Sequence, residues 1–173
     1  MQEMEKTPTL AQVLLERERK AKAVMHFCTS ERLTTLAFSL NIPGPVKSNR
    51  IIDQCFSWSI DALRMGFPAL ALKLEHRGIT GPYAIFTIDS EAVSLKKQLI
   101  AFEESCPIGR FLDLDVFTKE GNQISRTELG YPERCCFLCE KNAKDCGRNR
   151  SHSVEELADY TRKELASFLK KEI

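Results

Sequence analysis

The sequence predicts an α+β domain with a mainly antiparallel sheet and flanking helices. Apolar residues recur at three- and four-residue steps over four long stretches, which is the pattern of amphipathic helices. Short runs rich in β-branched and aromatic residues stand in pairs around turns that contain Gly or Pro, which is the pattern of β-hairpins. Helices mixed with hairpins are typical of an antiparallel sheet covered by helices.

The predicted helices cover residues 8–28, 48–65, 90–106 and 153–171. At or directly before the start of each stands a polar residue that can cap the first backbone N–H groups: Thr7, Ser48, Ser90 and Ser153. In the first helix, the apolar stripe includes Leu10, Val13, Leu14 and Val24.

The predicted strands are a single run followed by two hairpins. Residues 33–40 form the single run and end at the stiff loop 41–47. The hairpins pair residues 70–76 with 83–89 and residues 110–117 with 122–126, although the run 70–76 also fits a helix. Residues 127–152 are rich in Cys and Arg and have no clear period, so we expect an irregular segment there.

Length and charge restrict the classes of protein that fit. A chain of 173 residues with 43% hydrophobic residues is large enough for one core, and we expect residues 1–173 to form a single domain with residues 1–7 flexible. The formal net charge of +1 offers no basic excess for a nucleic-acid backbone. No stretch approaches the ~18 apolar residues of a membrane span, so we expect a cytoplasmic protein without nucleic-acid or membrane partners.

Two aspartates stand two residues apart in the run RFLDLDVF. Because side chains alternate between the faces of a strand, Asp113 and Asp115 share a face with Phe111 and Phe117, and their Cα atoms lie about 6.6 Å apart. Such a pair can hold Mg²⁺, which prefers oxygen ligands and relieves the repulsion between the carboxylates. The alternative is an edge strand with two solvated aspartates.

Basic and glycine residues near this run are candidates for phosphate contacts. Arginine guanidinium groups recognise phosphate through paired hydrogen bonds, and glycine lets the backbone approach an anion closely. Cations that precede the last helix oppose its dipole, which a bound anion would explain. The candidates are Gly44, Lys47, Gly109, Arg110, Arg126, Arg148 and Arg150.

A cysteine-rich stretch offers a second metal site. Seven cysteines in a chain of this size favour reduced thiols or a metal site over a disulfide framework. Cys136 and Cys139 have C-x-x-C spacing, and Cys146 and His152 complete a possible Cys₃His set for zinc. Cys135 could replace Cys136 in this ligand set. The alternative to a zinc site is a group of reduced thiols in the core.

Four motifs together resemble a known family. They are NIPGPVK at 41–47, GRFLDLDVF at 109–117, EGNQISR at 120–126 and the pattern P-x-R-C-C-x-x-C-x6-C-x-R-x-R-x-H over 132–152. Their order and spacing are similar to those of the apo-citrate lyase phosphoribosyl-dephospho-CoA transferases, the holo-acyl-carrier-protein synthases of citrate lyase.

The resemblance implies a nucleotidyltransferase-like fold and a specific reaction. Triphosphoribosyl-dephospho-CoA would donate its phosphoribosyl-dephospho-CoA group to a serine of the apo acyl carrier protein, the γ subunit of citrate lyase, with release of diphosphate. It implies that Asp113 and Asp115 hold Mg²⁺ and that Lys47, Arg110 and Arg126 contact the triphosphate, with Arg148 and Arg150 as further candidates. Nucleotidyltransferases with such a pair usually recruit a third carboxylate from another strand, but none is identifiable here; Asp89 and Glu128 are the candidates, and the spacing supports neither.

Two other functions fit the same residues. One is a zinc-stabilised interaction module without catalysis, in which the aspartates are solvated and the arginines dock a partner. The other is a related transferase that modifies a different carrier protein.

Overall fold

The computed structural model of the protein describes residues 7–172. In chain order the elements are α1 (Leu10–Met25), a π-helical turn (His26–Ser30), β1 (Thr34–Leu40), α2 (Arg50–Gly66), β2 (Ala71–His76), β3 (Tyr83–Ile88), α3 (Ala92–Ser105), a 3₁₀ turn (Gly109–Phe111), β4 (Leu112–Phe117), β5 (Gln123–Ile124), α4 (Ala143–Arg148) and α5 (Val154–Glu172). The expectation of a flexible segment over residues 1–7 falls outside the described residues, except at Thr7, which is exposed and non-helical.

The five strands form one sheet in the order β2-β3-β1-β4-β5, and every neighbouring pair is antiparallel. The predicted α+β class is therefore confirmed. Both predicted hairpins form, and the helical alternative for residues 70–76 is wrong. Among residues 7–172, no helix is long and apolar enough to cross a membrane.

Helices cover both faces of the sheet. On one face, α2, α3 and α5 pack against β1, β3 and β4 around a large core that includes Phe38, Phe56 and Leu99. On the other face, α1 packs Val24 against a smaller core that includes Ile85. The sheet is thus the central layer, and each of its faces has its own apolar core.

The predicted start of α1 is wrong by two residues. The N-cap is Thr9, whose hydroxyl accepts from the Gln12 N–H at 3.3 Å while the Gln12 side chain accepts from the Thr9 N–H at 2.8 Å. This reciprocal arrangement satisfies two backbone donors at once. Thr7 has Leu10 three residues later, which offers no side-chain acceptor.

The predicted caps of α2 and α3 are each wrong by one residue, whereas that of α5 is correct in position. The Asn49 side chain, rather than Ser48, caps α2 by accepting from a backbone N–H at 3.0 Å. Glu91, rather than Ser90, is the N-cap of α3. At α5, the Ser153 hydroxyl accepts from the third residue of the helix at 3.1 Å.

Only the C-terminal half of α1 carries an apolar face toward the sheet. Val24 is 4% exposed, whereas Leu10 and Leu14 are 73% and 54% exposed, so the predicted apolar stripe is wrong at its N-terminal end. There, Glu16 and Lys20 occupy the positions that face the sheet and form hydrogen bonds with its polar side chains.

The strand that carries the aspartates begins later than predicted. Residues Gly109–Phe111 form a 3₁₀ turn, which breaks the alternation expected of a strand. Phe111 is consequently buried in the large core, on the opposite face from Asp113 and Asp115. The prediction that Phe111 shares the face of the aspartates is wrong.

Candidate active site

Asp113 and Asp115 lie on the face of the sheet that α1 covers. Asp113 is opposite Ser39 in β1, and Asp115 is opposite Ala37, which belongs to the small core under α1. Both aspartates are half-buried. The two carboxylates thus share one partly desolvated surface on β4.

Lys20 of α1 lies beside this acidic pair. Its ammonium group donates a hydrogen bond to the Ser39 hydroxyl at 3.1 Å. Burial lowers the pKa of Lys20, while the negative charges of Asp113 and Asp115 act in the opposite direction. A cation therefore accompanies the two carboxylates in the folded protein.

Asp115 is held by the neighbouring strand. The Gln123 side chain donates to Asp115 Oδ1 at 2.7 Å. Burial raises the pKa of Asp115, and repulsion from Asp113 adds to the rise, although Lys20 and other cations oppose it. An additional positive charge at this position would stabilise the ionised carboxylate.

The polar surface continues from β4 across the sheet toward β2. Tyr83 is opposite Ser39, and His76 is opposite Tyr83. The Tyr83 hydroxyl donates to Glu16 Oε1 at 3.0 Å, and His76 Nε2 lies 3.5 Å from the same oxygen. Burial, followed by Glu16, raises the pKa of Tyr83 to about 12, so Tyr83 keeps its proton at neutral pH.

A cleft of about 1310 Å³ opens near the start of β4. Four arginines and four glutamates line it, so its basic groups are placed among acidic ones and are not in net excess. The predicted phosphate contacts that line the cleft are Gly109, Arg110, Arg126 and Arg150. Gly44, Lys47 and Arg148 do not line it, and neither do Asp113 and Asp115.

Glu103 of α3 forms ion pairs with two arginines of the cleft and also interacts electrostatically with Asp113. Its carboxylate lies 2.5 Å from Arg134 and 3.7 Å from Arg126. Burial raises the pKa of Glu103, and Asp113 adds to the rise, while Arg134, Lys96 and Arg126 oppose it. Glu103 therefore neutralises part of the charge on the cleft arginines and lies within electrostatic reach of Asp113.

Arg110 ties the cysteine-rich segment to the start of β4. Its Nη2 donates to the carbonyl oxygens of Cys135 at 2.9 Å and Cys136 at 2.5 Å. The guanidinium carbon lies 5.4 Å from the centre of the Phe137 ring. These contacts give Arg110 a structural role in addition to any contact with a ligand.

The two predicted glycines are required by backbone geometry. A Cβ at Gly109 would lie 1.8 Å from the Glu103 carbonyl oxygen, so no larger residue fits there. Gly44 has a φ of +88°, which favours glycine, and it packs against Ala158 of α5.

The remaining predicted cations lie apart from the cleft. Lys47 donates to the Ile42 carbonyl oxygen, and burial, followed by the charge of Arg17 on α1, lowers the pKa of Lys47. Arg148 is exposed and lies 3.9 Å from Asp145.

The predicted sources of a third carboxylate do not join the acidic pair. Asp89 follows β3 at the end of the sheet opposite to Tyr83 and pairs with Lys119 at 2.7 Å. Glu128 accepts from the Ser125 N–H at 2.9 Å within its own turn.

Sequence reasoning missed four residues near the pair: Lys20, Ser39, Glu103 and Gln123. The hairpin pattern contained a signal for Gln123, because it lies in the partner strand opposite Phe117, two residues from Asp115. No local pattern indicated Lys20, Ser39 or Glu103, which come from separate elements.

The predicted zinc ligands lie together beside the cleft. The ligand atoms of Cys136, Cys139, Cys146 and His152 are all within 4.8 Å of one another, so the group could hold a metal ion such as zinc. Cys135 is exposed and stands outside the group. Of the two possible ligand sets, the structure therefore assembles the one that begins at Cys136 rather than the one that begins at Cys135.

Comparison with known proteins identifies the chain. The family model described as apo-citrate lyase phosphoribosyl-dephospho-CoA transferase matches residues 8–168, which places the chain among the transferases. The chain belongs to the apo-citrate lyase phosphoribosyl-dephospho-CoA transferase family, and the resemblance read from its motifs is confirmed.

Several bacterial proteins are similar over most of the chain. A probable apo-citrate lyase phosphoribosyl-dephospho-CoA transferase of Streptococcus pyogenes serotype M18 is 37% identical over 170 residues, covering 94% of this chain and 88% of that protein. One of Vibrio cholerae serotype O1 is 34% identical over 155 residues, 86% of each chain. Protein CitXG of Haemophilus influenzae is 36% identical over 155 residues, which are 87% of this chain and 33% of that protein.

Proposed function

We propose that this protein is a nucleotidyltransferase that attaches the phosphoribosyl-dephospho-CoA group to a serine of the apo acyl carrier protein, the γ subunit of citrate lyase. The donor is triphosphoribosyl-dephospho-CoA, the second product is diphosphate, and the reaction takes place in the cytoplasm. The family supports the transferred group and the acceptor. The observation that supports this reaction is that Asp113 and Asp115 lie half-buried on the same face of β4.

The residues around this face suit Mg²⁺. Two carboxylates and the Ser39 hydroxyl opposite Asp113 are hard oxygen donors. The pKa of Asp115 is raised by burial and by Asp113, and that destabilisation of the ionised form would disappear beside a divalent cation. When bound, Mg²⁺ would supply Lewis-acid stabilisation of the phosphate oxygens.

The transfer is a substitution at phosphorus. The serine oxygen of the carrier forms a bond to the α-phosphorus, the bond between this phosphorus and the bridging α–β oxygen breaks, and the serine proton is released. Negative charge develops on the departing diphosphate, where fixed cations are most effective. Lys20 beside the acidic pair and Arg126 in the cleft are the candidates for such cations.

The cleft accommodates the long donor. Its volume of about 1310 Å³ exceeds the roughly 300–1,000 Å³ of common ligand pockets, as an extended nucleotide with a pantetheine arm requires. Arg126 and Arg150 line it, and Glu103 at its edge lies close enough to Asp113 for the two carboxylates to repel each other.

The test combines the protein with apo carrier protein, triphosphoribosyl-dephospho-CoA and Mg²⁺, and follows the intact mass of the carrier. We expect addition of the prosthetic group with the wild type and with Asp61→Asn, an exposed control on α2. Asp113→Asn should give no more than about one hundredth of that rate, because it removes one metal ligand. Wild-type activity without divalent cations, or full activity of Asp113→Asn, would refute the proposal.

A second arm of the experiment separates this reaction from modification of another carrier. The apo carrier subunit of a different lyase or decarboxylase replaces that of citrate lyase under the same conditions. We expect its mass to remain unchanged.

A further inference from the structure

The segment 121–150 has almost no apolar core of its own. Its only buried side chains are those of Cys136 and Cys146. Its one helix, α4, has six residues, which is too short to be stable by itself. A segment of this kind requires an additional link to hold one conformation.

The buried sulfurs lie where such a link would form. Cys136 and Cys139 stand in a turn that is closed by hydrogen bonds from the Cys136 N–H to the Lys141 carbonyl at 2.8 Å and from the Ala143 N–H to the Arg134 carbonyl at 2.9 Å. Cys146 lies on α4, and His152 lies two residues before α5. Three separate parts of the segment therefore converge on one point.

The distances fit a tetrahedral zinc ion. Two sulfur ligands at about 2.3 Å from a tetrahedral centre are ~3.8 Å apart, and a sulfur and an imidazole nitrogen are ~3.6 Å apart. Cys139 Sγ and Cys146 Sγ are separated by 3.8 Å, and Cys139 Sγ and His152 Nε2 by 3.3 Å. Four thiol and imidazole ligands form a closed structural site rather than a catalytic one with an open position.

A backbone donor also faces the cluster, because the N–H of Leu138 donates to Cys136 Sγ at 3.5 Å. Cys28 and Cys55 lie in the two apolar cores, away from this group. Cys106 and Cys135 line the cleft but lie outside the group, so three of the seven cysteines converge there.

We propose that Cys136, Cys139, Cys146 and His152 bind a structural zinc ion that fixes one wall of the cleft. The site would hold Phe137, whose ring is stacked on Phe111 with centroids 5.0 Å apart. It would also hold the carbonyl oxygen of Cys136, to which Arg110 donates. Zinc thereby positions Arg110 and Phe111, which directly precede β4 and lie three and two residues before Asp113.

The first test measures the metal in the full-length wild-type protein. The protein is purified under reducing conditions without a metal-affinity step and analysed by inductively coupled plasma mass spectrometry. We expect about one zinc per chain, and we expect removal of zinc with a chelator to lower the melting temperature and its return to restore it. A protein that remains without zinc after incubation with zinc and reductant would overturn the proposal.

The second test compares cysteine variants. Cys139→Ser and Cys146→Ser should retain less than about one tenth of the wild-type zinc, because each loses a ligand. Cys135→Ser is the matched control, since Cys135 adjoins the cluster without belonging to it, and it should retain the full amount. Equal zinc loss in Cys135→Ser would contradict the assigned ligands.

Cobalt substitution provides a readout that does not depend on the folding of the cysteine variants. Wild-type protein loaded with Co²⁺ should show thiolate-to-cobalt charge-transfer absorption and the intense visible bands of a tetrahedral site. His152→Ala should keep the charge-transfer absorption but shift the visible bands. Weak octahedral-type spectra in the wild type would exclude the Cys₃His site.

Discussion

Lys20 of α1 and Ser39 of β1 are joined by a hydrogen bond of 3.1 Å next to the acidic pair. Ser39 is itself opposite Asp113 in the sheet. The contact therefore fixes a helix to the strand that borders Asp113 and places a positive charge beside two carboxylates. If the acidic pair binds a cation as proposed, Lys20 should couple that binding to the stability of the fold.

Replacing Lys20 with methionine should make the site more dependent on a divalent cation. The variant retains much of the length of the side chain but leaves Asp113 and Asp115 without their nearby cation. We expect addition of Mg²⁺ to raise the melting temperature of the variant by more than that of the wild type, measured by scanning fluorimetry. Lys22→Met, an exposed position on the same helix, is the control and should respond as the wild type does.

Asp115→Asn should stabilise the protein at neutral pH while it impairs transfer. Burial and Asp113 raise the pKa of folded Asp115, so ionised Asp115 destabilises the fold above that pKa, and the cost diminishes as the pH falls through it. Asparagine removes the charge and can still accept from Gln123.

Calorimetry in the absence of divalent cations measures this effect. We expect the variant to melt above the wild type near pH 7 and the difference to shrink toward about pH 4, with ~2–4 °C for each kcal/mol in a domain of this size. A variant less stable than the wild type at pH 7 would show that the charged form of Asp115 is favourable without metal.

Gly109→Ala should destabilise the protein strongly. The added Cβ would lie 1.8 Å from the Glu103 carbonyl oxygen, so the 3₁₀ turn before β4 must move away from the end of α3. Overpacking of this kind costs about 1–3 kcal/mol or more, which urea unfolding would detect. Gly147→Ala is the matched control, because nothing lies within 4 Å of its new Cβ and alanine favours the helix. Similar stabilities of the two variants would contradict the steric argument.

Arg126→Gln should weaken binding of the triphosphate donor. The guanidinium group is 3.7 Å from Glu103, a loose contact that leaves donors available to phosphate oxygens. We expect the KM for the donor to rise about tenfold, which corresponds to ~1.4 kcal/mol. Arg64→Gln, at an exposed position on α2, should leave the KM unchanged. An unchanged KM in Arg126→Gln would remove Arg126 from the donor site.

The hairpins and the shared face of the aspartates were predictable because their signals are local. Alternation along β4 assigns Asp113 and Asp115 to one face whatever the rest of the chain does. The same locality explains the errors. The position of a helix cap depends on which of several adjacent polar side chains accepts from a free backbone N–H. The 3₁₀ turn Gly109–Phe111 interrupts the alternation of the strand, so Phe111 lies on the face opposite to the aspartates.

The sequence by itself determined the α+β class, the family and the position of the acidic pair, since periodicity and motif order are properties of neighbouring residues. Only the tertiary structure decided that Lys20 accompanies the pair, that Glu103 binds Arg126 and Arg134, and that Cys136 rather than Cys135 joins the thiol cluster. These contacts join residues from separate elements. Their distances are set by how helices pack on the two faces of the sheet, which no local spacing specifies.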